Sequence, residues 1–132
     1  MLHLNVVTPE RPFIEQDCLS VTLPGLMGEV QILEGHTPCL LELKTGHVIY
    51  ENKDRESVRF MIAAGFVEVD KDHVTVMCEM ARSKDEIDKV SELGTQQDLK
   101  QQLDNTKLDE EEKNKRLQAE LEKSVARMSL LD

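Results

Sequence analysis

Every proline and every aromatic residue of this 132-residue chain lies before residue 83, as do five of its six glycines. That partition at Arg82 constrains the fold more than any single motif. Both segments are acidic: 7 basic and 13 acidic residues up to Arg82 (net −6), then 9 and 13 (net −4), which together make −10. The segments therefore differ in periodicity, not in charge. Residues 1–82 read as short strands. "LHLNVV" and "LSVTL" alternate loosely, and "HVTVMC" sets Val74, Val76 and Cys78 opposite His73, Thr75 and Met77. Turn residues punctuate the runs at Pro24-Gly25, Lys44-Thr45-Gly46, Asn52-Lys53-Asp54 and Ala64-Gly65. "FVEVDKDHVTVMC" predicts a hairpin closed around Asp70-Lys71-Asp72. Roughly eight or more such strands predict a sandwich or flattened barrel.

Residues 83–132 predict two helices. "SKDE", Ser83 to Glu86, is a capping box, and the first helix is expected from there to about Asp104, with Gly94 as its weak point. "DNTKLDEEE" supplies the break and the second start, its acids suited to a helix N-terminus. Leu117, Leu121, Val125 and Met128 recur at steps of four, four and three, a narrow apolar stripe. Ile87, Val90, Leu93, Leu99 and Leu103 fall on no single face of the first helix. The fold class is therefore α+β, a β-sandwich over 1–82 followed by an antiparallel two-helix hairpin over 83–132. Four or five buried apolar side chains contribute roughly 1.5–3 kcal/mol each. Ordering costs on the order of 1–2 kcal/mol per residue. Docking of the hairpin is closely balanced, so a partner or ligand can bias its position.

Signs of catalysis are few. A net charge of −10 argues against nucleic acid as the main partner. No apolar run approaches the roughly 20 residues of a transmembrane helix. "MLHLNVVTPE" has no basic start and no cleavage site, so the chain is expected to be intracellular. Cys18, Cys39 and Cys78 form no metal spacing and read as buried thiols in a reducing compartment. His3, His47 and His73 read as surface or hydrogen-bonded histidines, with no spacing that argues for a metal. "DEEEK", Asp109 to Lys113, reads as a solvated helix start rather than a cation site. No nucleophile and base are paired. What remains is "GEVQILEGHTPCL", Gly28 to Leu40. Gly28 and Gly35 permit unusual backbone shapes, and Pro38 fixes the chain before the next strand. The stretch serves either as a recognition loop presenting Glu29 and His36, or as a plain connection between strands.

Three stretches carry a family resemblance: "LHLNVVTPERPFIE", "GEVQILEGHTPCLLELKTG" and "AAGFVEVDKDHVTVM". Together they closely resemble epsilon subunits of F-type rotary ATP synthases. The family's patterns GE-x-GI-x-x-GH-x-P-x-L and GG-x-x-x-V-x-x-x-x-V-x-V recur in this order, with Gln31 and Ala64 where glycines are common. "AELEKSVARM" resembles the family's second C-terminal helix. The resemblance implies a ten-strand β-sandwich and a helical hairpin. It also implies a non-catalytic central-stalk subunit that binds the gamma subunit and sits on the c ring, coupling ring rotation to the catalytic head. Such a subunit needs no cofactor. It is monomeric when isolated, and it lies peripherally on the cytoplasmic face of the bacterial inner membrane through the complex. By similarity, Glu29 would face the c ring, while Thr8, His36 and Leu41 would lie toward gamma.

In bacterial members the hairpin either lies folded against the sandwich or extends beside gamma into the alpha/beta catalytic head, where it blocks ATP hydrolysis. Lys115, Arg116, Lys123 and Arg127 are the candidates to meet acidic segments there, the alternative being a solvated basic face. Some members bind ATP through [IL]-D-x-x-R-A plus basic residues on the second helix. Here the matching "IDKVSE" keeps Ile87 and Asp88, with Lys123 and Arg127 at the basic places. Ser91 replaces the arginine and Glu92 the alanine, so ATP binding is expected to be absent or much weakened. The alternative function, a stand-alone nucleotide-sensing module of the same fold, needs the binding that this stretch argues against. A small β enzyme or metal protein is the third reading, and no spacing supports it.

Overall fold

The computed structural model describes residues 1–107 and 110–132. Ten strands come first: β1 (Leu2–Val7), β2 (Pro12–Cys18), β3 (Ser20–Gly25), β4 (Gly28–Leu33) and β5 (Cys39–Leu43), then β6 (Gly46–Glu51), β7 (Ser57–Ile62), β8 (Gly65–Asp70), β9 (His73–Cys78) and β10 (Ala81–Ser83). A single 3-10 turn (Lys84–Glu86) leads to α1 (Lys89–Asp104) and α2 (Glu111–Ser129). The strands pair in the orders β10-β7-β6-β3-β4 and β5-β8-β9-β1-β2. These two layers join where Gly25 of β3 meets Leu43 of β5. The β1–β9 ladder is parallel, and the other ladders among the described residues are antiparallel. The expected sandwich is therefore present, with its ten strands. The boundary at Arg82 falls inside β10, where Arg82 pairs with Met61 of β7.

Period-two burial builds the core. Leu2, Leu4 and Val6 of β1 are fully buried, as are Val67 of β8 and Val74 and Val76 of β9. Phe13, Tyr50 and Phe60 meet inside, with ring centroids 5.1 Å apart for Phe13–Phe60 and 6.3 Å for Tyr50–Phe60. Asp70 pairs with His73, which leaves Lys71 and Asp72 as a two-residue turn with φ of 48° and 66°. That is the left-handed geometry of tight hairpins, so the expected β8–β9 hairpin is present. A Cβ on Gly65 would lie 2.1 Å from the Met77 carbonyl oxygen, so only glycine fits where β8 begins against β9. Cys18 and Cys78 are buried thiols, both pushed up to about 11 by burial, whereas Cys39 is half-buried.

The helical segment corrects one expectation. Ser83 N–H and Oγ donate to Glu86 Oε1 at 3.1 and 3.0 Å, but this box closes only the 3-10 turn. Ile87 then takes an extended conformation (φ −109°, ψ 124°) that stops any continuation. Asp88 restarts the helix, its carboxylate accepting from the amides of Val90 (3.0 Å) and Ser91 (3.3 Å). Asp109 of the acidic "DEEEK" run lies outside the described residues. Glu111 and Glu112 occupy the first turn of α2, where acids favour the helix dipole.

Candidate functional site

β7 departs from alternation: Phe60, Met61 and Ile62 are all buried. Phe60 and Ile62 face the core. Met61 packs with Ala126 and Leu130 of the α2 end, flanked by Met80 and Ile87. His47 of β6 pins the helix, its Nε2–H donating to the Ala126 carbonyl at 2.8 Å while its Nδ1 accepts from Arg59 Nη1 at 3.2 Å. α1 packs along α2, and Glu92, Gln96, Leu99 and Leu103 are the less exposed residues at helical spacing. The predicted stripe on α2 needs correcting. Leu117 is buried, Leu121 and Met128 are half-buried, and Val125 is 48% exposed. Lys123, Ser124, Ala126 and Leu130 are buried instead. The reason is that α2 touches two neighbours, α1 and the sheet, so its covered arc is wide and includes small residues. Leu121 and Val125 line an open groove of about 750 Å³ between α2 and the sheet, opposite Pro24 and Ile49.

Charged contacts add to the apolar ones in this docking. Glu92 Oε1 accepts from Arg127 Nε at 2.5 Å, and Glu92 Oε2 accepts from the buried Ser124 Oγ at 2.8 Å. The Arg127 and Glu92 side chains are only 13% and 15% exposed. Arg127 Nη1 also reaches Met80 Sδ at 3.4 Å. One turn earlier, Lys123 Nζ donates to Glu79 Oε1 at 2.8 Å and Glu120 Oε1 at 3.0 Å. Burial works against the Lys123 ammonium, but these two carboxylates outweigh it and raise its pKa. Arg11 pairs with Glu86, and Arg82 lies 3.6 Å from Glu10. Burial likewise works against the Glu86 carboxylate, yet the Ser83 amide and Arg11 leave its pKa lowered.

The residues singled out in the sequence are thus dispersed. Ile87 lines the docking cluster, Asp88 caps α1, and Lys123 and Arg127 are engaged inside the molecule. Lys115 and Arg116 are exposed further up α2. Thr8 ties the β1–β2 turn, its Oγ1 donating to the Arg11 carbonyl at 2.8 Å, and it borders Met77 and Cys78. His36 sits at the far end of β9, where the Gly35 amide donates to Asp72 Oδ1 at 2.8 Å. Gly28 and Gly35 adopt φ of 134° and 83°, the left-handed side expected of them. Glu29 is exposed beside the β3–β4 tip, where Leu26 and Met27 are 53% and 97% exposed. Leu41 turns inward against the core, and its neighbour Leu40 faces out. Sequence reasoning missed a row on the uncovered layer: Glu42, Phe66, Met77 and Val7 stand in register across four strands. Phe66 and Met77 are exposed, with Leu40 beside them. A signal for this row existed, because Phe66 shares a strand face with Glu68.

Among the described residues, no cluster of three or more His, Cys, Asp or Glu is arranged to hold a metal, and no helix is long and apolar enough to cross a membrane. Residues 1–84 match the family described as ATP synthase, Delta/Epsilon chain, beta-sandwich domain. An ATP synthase epsilon chain of Desulfosudis oleivorans is 38% identical over 87 residues, which is 66% of this chain and 65% of that one. An ATP synthase epsilon chain of Bacillus licheniformis is 33% identical over 102 residues, covering 77% of each. The first relatives are thus matched over a little less than two thirds of their length. The fold resembles a chain in the Euglena gracilis mitochondrial ATP synthase structure of OSCP, F1 and c-ring. The TM-score is 0.84 at 17% identity, covering 99% of this chain and 81% of that chain.

Proposed function

The chain belongs to the delta/epsilon-chain family of ATP synthases, and from that premise we propose that it is the epsilon subunit of a rotary motor. In this reading it catalyses nothing itself. It joins the c ring to the gamma subunit in the central stalk, so that ring rotation reaches the alpha/beta catalytic head, and its hairpin restrains ATP hydrolysis. The sandwich, about residues 1–82, does the docking, and residues 83–132 regulate. Attachment to the membrane comes through the complex, on the cytoplasmic face of a bacterial inner membrane.

The observation that carries the reading is the unequal treatment of the two outer sheet faces. One is covered by α2 at Met61. The other leaves Phe66 49% and Leu40 65% exposed, an apolar face suited to a protein partner. That face, bordered by Thr8, is assigned to gamma. The β3–β4 tip with Glu29 is assigned to the c ring, and Lys115 and Arg116 to the catalytic head. The nucleotide-sensor reading fits less well, because Glu92 already holds Arg127 and Ser124.

The test is ATP hydrolysis by a catalytic head stripped of this subunit, with the full chain or residues 1–84 added back. The shorter chain keeps β10 whole. Suppression by the full chain, with binding but no suppression by the short one, is the expected result. Failure of both to bind gamma would overturn the assignment.

A further inference from the structure

We propose that the groove between α2 and the sheet binds a small apolar carboxylate, its acid group on Arg59 and its hydrocarbon body over Ile49, Pro24, Leu121 and Val125. This site is independent of any part the chain plays in a motor. Its floor is formed by the neighbouring strands β7-β6-β3-β4 and its wall by α2. A volume of about 750 Å³ is that of a small-molecule cleft. The centre of the floor is apolar, Pro24 and Ile49, and Gly46 makes room there, because a Cβ on it would lie 2.9 Å from the Pro24 Cβ. Across the gap stand Leu121 and the exposed Val125, left uncovered because the helix is held to the sheet at Ala126 and Leu130. At about 100° per residue, Gln118, Leu121, Glu122, Val125 and Ser129 share one side of α2, and Lys123 and Arg127 lie on the opposite side. The groove therefore shares no side chain with the ion pairs of Lys123 and Arg127.

Charge selects the ligand. Arg59 stands on β7, paired with Ile49, and Glu29 stands on β4, paired with Pro24. Three strand spacings, about 14 Å, separate β7 from β4. The floor thus runs from a cation, across apolar side chains, to an acid. His47 Nδ1 accepts from Arg59 Nη1 at 3.2 Å and is itself fixed by the Ala126 carbonyl, so the guanidinium is steadied at one corner. Among the described residues neither Arg59 nor Lys44, the second cation lining the groove, has an ion-pair partner. The remaining guanidinium N–H groups match the two oxygens of a carboxylate. Glu29 and Glu122 also line the groove and repel a second negative charge, which favours a monoanion over a dicarboxylate or a phosphate ester. The acid end lies at Arg59 and the tail runs toward Pro24, because Glu29 stands at the far side.

The experiment titrates octanoate into the full chain by calorimetry, with 1-octanol as the uncharged probe of the same tail. Octanoate should saturate one site per chain and bind about tenfold more tightly than octanol, the order set by a charged hydrogen bond. Arg59→Gln should remove that advantage and leave octanol unchanged. Val125→Glu, at an exposed position, should weaken both probes, whereas Phe66→Glu on the other outer face should weaken neither. Bound octanoate should also slow amide exchange over residues 111–129, because a ligand touching both α2 and the sheet binds only the docked helix. Absence of saturable octanoate binding would overturn the site. Equal affinity for octanoate and octanol would overturn the carboxylate role, as would an equal loss of both probes in Arg59→Gln. Binding that survives Val125→Glu and disappears in Phe66→Glu, or that leaves exchange over α2 untouched, would put the ligand elsewhere and overturn the groove.

Discussion

His3 sits between two carboxylates on the neighbouring strand, its Nδ1 2.8 Å from Asp17 and its Nε2 2.8 Å from Glu15. Both ring nitrogens must donate for both contacts to hold. The Asp17 hydrogen bond, then that of Glu15, raises the His3 pKa above 6.5, and His3 lowers that of Asp17. The native state therefore keeps the His3 proton to higher pH than the unfolded chain does. The stabilisation is fully present below about 6.5 and is lost as pH rises through the raised native value. The urea midpoint should fall as pH rises above about 6.5, and His3→Gln should remove part of that fall. Part should persist through the N-terminal amine, whose pKa Glu34 raises above 8.0. An unchanged slope in His3→Gln would sink this account. The contact was not legible in the sequence, because His3 and Asp17 are fourteen positions apart and meet only through the β1–β2 register.

At the scale of elements, local periodicity carried most of the fold. The strand runs, the turn at Lys71-Asp72 and the two helices all follow from patterns of two or of three to four. What failed was the choice of buried face on α2 and the start of α1. A helix between two neighbours hides a wide arc, so a four-residue apolar stripe does not identify its seam, and Val125 ends up at a groove. The Ser83–Glu86 box cannot propagate a helix through an extended Ile87. The cover over β7 did have a signal, the unbroken apolar run "FMIAA", because a strand hidden on both faces loses alternation. Leu130, 5% exposed in the cluster with Met61 and Ala126, tests how closely balanced the docking is. Leu130→Ala should cost about 2–5 kcal/mol of docking. Protease should then cut α2 far faster while the sandwich unfolds at an unchanged temperature. Loss of sandwich stability by the same amount would show that hairpin and sandwich are one cooperative unit.

For the molecule as a whole, the two outer faces of the sandwich divide the labour. The β6–β7 face holds the hairpin through Met61 and His47 and is occupied as long as the hairpin stays down. On the β5-β8-β9-β1 face, the exposed Phe66, Met77 and Leu40 lie between charged Glu42 and Glu68. Apolar side chains ringed by charge are how a transient partner is bound without aggregation of the free protein. On the proposed function, this geometry lets the subunit stay attached through one face while the other face takes or releases the hairpin. The two activities should therefore separate by mutation. Phe66 lies outside the core, so Phe66→Glu should leave the unfolding temperature unchanged and weaken gamma binding by about tenfold or more, as removal of an interface aromatic does. Leu130→Ala should leave gamma binding intact. Measured by titration against purified gamma, equal weakening by both changes would mean that the hairpin, too, contributes to the attachment, and the division of faces would fall.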